Sequence, residues 1–123
     1  MTPVILVFPS DPQNIALVRA TAAALAVRCN LTIDRVEDVR LAVDEAASQL
    51  ITDGNDTITC TFAVDPLGLQ IVITSDATDL AVPDPDGFGW TVMRALTDEV
   101  TSNHDEAGTS ISIRVYRPEP IQA

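Results

Sequence analysis

The chain has 123 residues, 46% apolar but only 4% aromatic, with eighteen acidic side chains against seven basic ones and a net charge of -11. A chain of this length carries one core, which must here be aliphatic, so a single domain over 1–123 is expected; all seven cations are arginine, and so acidic a surface excludes direct binding to DNA or RNA and favours a basic protein partner. No apolar run reaches membrane-spanning length, and the start VILVF has neither the charged leader nor the cleavage site of a signal peptide, so no membrane association and a cytoplasmic location are expected.

Residues 4–8 are apolar and β-rich and predict a first strand that stops at Pro9. Asp11 then caps, and Pro12 takes the first helical position, where its missing N–H costs nothing. Ile15, Val18, Ala22, Leu25 and Cys29 recur at the helical period, predicting a helix over 12–28 with a break at Asn30. Thr32 caps a second helix over 32–52, whose Val36, Val39, Val43, Ala46, Ala47 and Leu50 make one apolar stripe. Glu45 and Gln49, four residues apart, project together beside that stripe. A carboxylate and a carboxamide so placed can hold a metal or a proton.

Asp53, Gly54 and Asn55 end this helix, and the period switches to alternation. Ile58, Cys60, Phe62 and Val64 point one way, 65–68 turns, and Leu69, Ile71 and Ile73 return, which predicts an antiparallel hairpin. Residues 75–86 hold four aspartates and two prolines and read as an acidic loop. Asp86 is the expected cap of a third helix with Val92, Met93, Leu96 and Val100 on its stripe. A short strand near 100–103, a turn over 103–108 and a last strand over 109–116 follow, and the tail from Pro118 is expected to fray. Cys29 and Cys60 fall on apolar faces and read as reduced core residues rather than a disulfide, and His104, in the turn, receives no role. The element order predicts an α/β (α+β) two-layer sandwich, with a mixed, mostly antiparallel sheet and three helices on one face. Val43, Leu50, Ile71, Ile73, Val92, Met93 and Ile113 are expected between the layers.

Two stretches, LAVDEAASQL and DGFGWTVMRALTDE, carry a resemblance. The first, with Val43, Glu45, Ala46 and Ser48, resembles a family helix reading V-S-E-A-x-T-N-A; the second, with Gly87, Gly89, Trp90, Val92 and Met93, resembles a segment that opens a helix near the phosphates. Together they are similar to the anti-sigma-factor serine kinases of the histidine-kinase-like (Bergerat-fold) ATPase superfamily. The resemblance implies that family's fold, ATP and Mg²⁺ as cofactors, Glu45 as the base for an attacking hydroxyl, and Gln49 at the position of a metal-binding asparagine. It further implies nucleotide contacts from Ser75, Gly87, Gly89 and Thr109, a sigma factor or an anti-anti-sigma protein as partner, and a homodimer.

The chain also departs from the family's pattern. The carboxamide of Gln49 stands one methylene further out, about 1.5 Å, against the near-ideal octahedral distances that Mg²⁺ demands. Ser75 replaces an aspartate that holds the adenine amino group, and Asp76, one place along, should face the other side of the strand. Losing a charge-assisted hydrogen bond costs about 1.5 to 3 kcal/mol, roughly 10- to 100-fold in affinity. The nucleotide lid is cut to the twelve residues 75–86, with no cation for a triphosphate. Weak or absent ATP and Mg²⁺ binding is therefore expected, in a regulator that controls a sigma factor by protein binding. An active ATP-dependent serine/threonine kinase acting on an anti-anti-sigma protein is the first alternative, and a pure protein-binding module with a decayed pocket is the second.

Overall fold

The structure is a computed structural model and describes residues 2–119. In chain order it contains β1 (Val4–Pro9), a short 3-10 turn (Pro12–Asn14), α1 (Ile15–Arg28), α2 (Ile33–Leu50), β2 (Thr57–Asp65), β3 (Gly68–Ser75), α3 (Phe88–Leu96), β4 (Glu99–Asp105) and β5 (Gly108–Tyr116). The five strands form one sheet in the order β1-β2-β3-β5-β4, and every neighbouring pair is antiparallel. The expected parallel component of the sheet is thus absent among the described strands. The reason is topological: β3 and β5 are neighbours although α3 and β4 intervene, and the chain comes back from β4 to β5 by a hairpin instead of a crossover.

The alternation expected of β2 and β3 is realised. Ile58, Cys60, Phe62 and Val64 on β2, Leu69, Ile71 and Ile73 on β3, and Ile111, Ile113 and Val115 on β5 are all buried, and the three helices cover that face alone. The other face carries Thr59, Thr61, Val72, Thr74, Ser110 and Ser112, half-buried side chains with no helix over them. From the helices, Val18, Ala22 and Leu25 of α1, Val39, Val43, Ala46 and Leu50 of α2, and Trp90 and Met93 of α3 complete the core. Each fully buried side chain of the Val, Leu, Ile and Met class contributes roughly 1.5 to 3 kcal/mol of transfer free energy, offset by the entropy of ordering the chain. Val92 is the exception among the expected core residues, being only half-buried. The buried face of α3 runs through Trp90, Met93 and Thr97, so Val92 falls to the side, and Val100 lies on β4 instead.

The helix ends follow from local chemistry. The α1 helix stops at Cys29 because Asn30 adopts a left-handed backbone (φ 56°), and the Asn30 and Leu31 N–H groups donate back to the Val27 and Ala26 carbonyls at 3.0 and 3.4 Å. Thr32 caps α2, its hydroxyl accepting the Arg35 N–H at 3.2 Å. At the far end of α2 the buried Ser10 hydroxyl donates to the Thr52 carbonyl and accepts the Thr52 N–H, both at 2.8 Å. These two bonds tie the end of β1 to the end of α2. Thus the C-termini of α2, β1 and β3 and the N-termini of β2 and β5 gather at one end of the sheet. Both hairpins use the same turn chemistry, Asp65 and Asp105 each accepting the N–H two residues on at 2.8 Å. No helix among the described residues is long and apolar enough to cross a membrane.

Candidate functional site

Four elements bring residues to that end of the sheet. Glu45 and Gln49 lie on successive turns of α2, both half-buried, on the side that faces α3. The N-terminus of α3 closes against them. A β-carbon built on Gly89 would collide with the Glu45 carboxylate and stand 2.7 Å from the Gln49 amide nitrogen. Both are the ends of flexible, half-buried side chains that a larger residue would push aside, and with glycine the α3 backbone occupies the space beside them. The N-cap is Gly87, not the expected Asp86, and it contributes no side-chain hydrogen bond. The acidic loop explains the difference: the Asp84 side chain accepts the Asp86 N–H at 2.9 Å, and its carbonyl accepts the Gly87 N–H at 3.0 Å, which folds 84–87 into a turn before the helix starts.

An uncapped helix start leaves its first N–H groups without helical partners and concentrates partial positive charge there. In this chain the group lying against that start is the carboxylate of Glu45. Beside it on α2, Asp44 accepts the Arg19 Nε–H of α1 at 2.7 Å, in an ion pair about one third exposed. That pair fixes α1 against the polar edge of α2. The spacing of the sequence gave no sign of it, because the partners are 25 residues apart.

A second group lies on the sheet. Ser75 and Thr109 face each other in register on β3 and β5, both completely buried, and His104 of β4 stands opposite Thr109 in the next pairing. The Ser75 hydroxyl accepts the Ala77 N–H at 3.2 Å, so it is engaged by its own loop. The carboxylate of Asp76 is turned outward and accepts the Thr57 N–H at 2.7 Å, which matches the expectation that it faces away from Ser75. His104 Nδ1 lies 2.7 Å from the Thr109 hydroxyl. The histidine given no partner by the sequence therefore has one, five residues on, because β4 extends through the stretch expected to turn. Gly108 begins β5 at φ 134°, and a β-carbon there would run into the Ser75 carbonyl, so the entry to β5 needs a glycine.

Mg²⁺ takes hard oxygen ligands in a nearly ideal octahedron with room for waters. The α2 edge offers one carboxylate and one carboxamide, both with the Gly89 backbone packed on them. Those are two hard oxygen donors of the kind that Mg²⁺ takes, and they are the residues of this edge that would hold one.

Residues 8–115 match the histidine kinase-like ATPase domain. The chain belongs to that family. It is an ATPase family, which implies nucleotide binding. The chain is 36% identical over 106 residues to the anti-sigma-F factor RsbW of Mycobacterium tuberculosis, covering 85% of this chain and 63% of that protein. It is 25% identical over 132 residues to the serine-protein kinase RsbW of Bacillus subtilis, covering 88% of this chain and 81% of that one. It thus spans less than two thirds of the length of the mycobacterial relative. In fold it is similar to a crystal structure of the RsbU and RsbW domains of a Mycobacterium tuberculosis protein, with a TM-score of 0.70 at 16% identity, over 100% of this chain and 35% of that chain.

Proposed function

We propose that the chain is an anti-sigma-factor-like regulator that acts by binding a sigma factor, an anti-anti-sigma protein or both, with an ATP site too weak to saturate in the cell. The observation that carries this reading is the packing of Gly89 on Glu45 and Gln49, which sets a protein carboxylate at the helix start where a phosphate would bind. At the adenine end Ser75 offers a neutral hydroxyl, which also accepts the Ala77 N–H, in place of a carboxylate, a second loss. The RsbW names of the relatives supply the partner class. In this reading Glu45 and Gln49 line a remnant pocket with Ser75, Gly87, Gly89 and Thr109, in a single domain that works in the cytoplasm as a homodimer. If ATP bound, it would supply the phosphoryl group; Glu45 would accept a proton from the attacking hydroxyl, and Gln49 would be the nearest metal ligand.

An active kinase is the second reading, favoured by one observation: Glu45 is only half-buried, so a substrate hydroxyl can reach it. Calorimetric titration with ATP and Mg²⁺ separates the two. Two losses of about 1.5 to 3 kcal/mol each bring a micromolar site to roughly millimolar, so the wild type should bind near millimolar and Gln49→Asn with Ser75→Asp should tighten it. Micromolar binding by the wild type overturns the proposal. For the partner, the net charge of -11 predicts that association with a sigma factor slows as salt rises, and a salt-insensitive rate would remove the electrostatic part.

A further inference from the structure

Away from the Glu45 site, a cavity of about 560 Å³ lies between α3 and the edge strand β4, lined by Trp90, Arg94 and Thr97 on one side and by Glu99, Val100 and Thr101 on the other. Its position relative to β4 is informative. Val100 pairs with Ile113 on the helix-covered face, whereas Glu99 and Thr101, its sequence neighbours, pair with Arg114 and Ser112 on the open face. Side chains from both faces can line one cavity only if it lies off the edge of the strand, in the plane where a sixth strand would run. β5 pairs with one side of β4; among the described residues nothing pairs with the other, so alternate N–H and C=O groups there are left for another chain. The middle of the strand, VTSNH, carries neither proline nor lysine, and its carboxylates stand only at the ends, so the edge lacks the usual protection against pairing.

The chemistry of the wall selects the occupant. Trp90, 8% exposed, supplies an apolar floor. The acidic groups nearby are already engaged: Asp98 takes the Arg35 guanidinium at 3.0 Å and the Tyr116 N–H at 2.7 Å, and Glu99 takes the Tyr116 hydroxyl at 2.8 Å. Arg94 is exposed and takes part in none of the ion pairs among the described residues. Glu99 keeps its charge but turns it to Tyr116 on the open face, so Arg94 is the charged group of the groove with neither a hydrogen-bond nor an ion-pair partner among the described residues. Trp90 and Arg94 are one helical turn apart, about 6 Å along the axis. Two residues of an extended strand span about 6.8 Å and put their side chains on the same side.

We propose that this groove binds an extended segment of another protein, added to β4 as an edge strand, with an apolar side chain on Trp90 and an aspartate or glutamate two positions away on Arg94. Main-chain pairing along β4 supplies affinity and the two side-chain contacts supply selectivity. None of Glu45, Gln49 and Ser75 lines the groove, so peptide binding here and nucleotide binding there succeed or fail separately.

The test selects random ten-residue peptides displayed on phage against the full chain, then titrates the winners while following the fluorescence of Trp90, the only tryptophan. The expected winners carry an apolar residue and an acidic residue spaced by two, shift the Trp90 emission, and lose at least about tenfold in affinity, or about 1.4 kcal/mol, with Arg94→Glu or when their acidic residue becomes the amide. Methylation of alternate peptide nitrogens should abolish binding, because it removes the donors that a strand presents. The proposal is overturned if no peptide is enriched, if winners bind Arg94→Glu as well as the wild type, or if the methylated peptides still bind. A Trp90 shift that depends on protein concentration alone would assign the edge to a second copy instead, which also overturns it.

Discussion

Gly89 meets Glu45 so closely that a β-carbon there would have to push the carboxylate aside, although the two residues lie on different helices. This contact makes the position of α3 depend on a polar side chain of α2, and a double-mutant cycle measures that dependence. In Gly89→Ala the added methyl forces Glu45 and Gln49 aside, which should cost about 1 kcal/mol, the low end of the overpacking range, because both are flexible and half-buried. Against Glu45→Ala the same substitution should be close to neutral or stabilising by up to roughly 1 kcal/mol, because alanine is the better helix former. A coupling of at least about 1 kcal/mol in urea unfolding is expected. Additive effects would mean that the carboxylate does not hold the helix start.

A second prediction concerns pH. Burial pushes the Asp65 carboxyl upward, but the hydrogen bond from Arg114, at 2.8 Å, and those from the Gly68 and Leu67 N–H groups outweigh it and hold the group below the usual carboxylate range. A carboxyl depressed in the folded state binds its proton more readily when unfolded, so it stabilises the fold above the unfolded value, about 3.9, and loses that contribution as pH falls through the folded value. Wild type minus Asp65→Asn should therefore show a stability difference that is constant above about pH 5 and shrinks below about pH 4. The measurement is urea unfolding of both proteins between pH 2.5 and roughly pH 6. A difference that grows toward acid would contradict the stated sign.

The thiols give a third. Cys29 and Cys60 are both free and fully buried; burial raises both, and Cys60 is pushed up to about 12. Since the thiolate is the reactive form, neither should react with a disulfide reagent in the folded state near pH 8. Labelling should follow global opening and run more than about a thousandfold slower than in the denatured chain, as a stability of roughly 5 kcal/mol requires. Rapid labelling of Cys29 alone would show that the end of α1 opens locally.

The fourth addresses the α2–α3 junction. Arg35, at the start of α2, donates to the Leu96 carbonyl and to Asp98, each at 3.0 Å, and pairs with Asp38 at 3.5 Å. All three charged side chains are about one third exposed, so solvent screening reduces what the ion pairs contribute. Arg35→Ala should cost about 1 kcal/mol globally. It should also raise amide exchange at the end of α3 and the start of β4 by more than elsewhere in the sheet, and uniform exchange would remove the clamp from the account.

The apolar stripe of α2 and the alternation of β2, β3 and β5 were legible in the sequence because one face of each is buried, and burial writes its period into the residues; α1 is apolar on its exposed side as well, at Leu17 and Val27, so its buried face stands out less. β4 was legible only in part. Six of its seven residues are exposed, so no apolar alternation marks it, and its first apolar residue, Val100, continued the stripe of α3 instead. The same polarity hid the pairing of His104 with Thr109. Glu45, Gln49, Ser75, Gly87, Gly89 and Thr109 could be pointed to from motif resemblance, but the packing of Gly89 on Glu45 could not. It joins residues 44 apart in sequence, and neither spacing nor propensity carries such a distance.

The path of the chain between β3 and β5 has a consequence of its own. Ser75 and Thr109 are direct neighbours in the sheet, so everything from residue 76 to the β4–β5 hairpin is an excursion whose two ends are already held together by strand pairing. Lengthening its acidic part leaves the ladder untouched, and a doubling of loop length costs only about 0.6 kcal/mol of closure entropy. The acidic segment can thus vary in size almost independently of the stability of the scaffold. A fold wired in this way can keep, shrink or regrow that loop without having to refound its core.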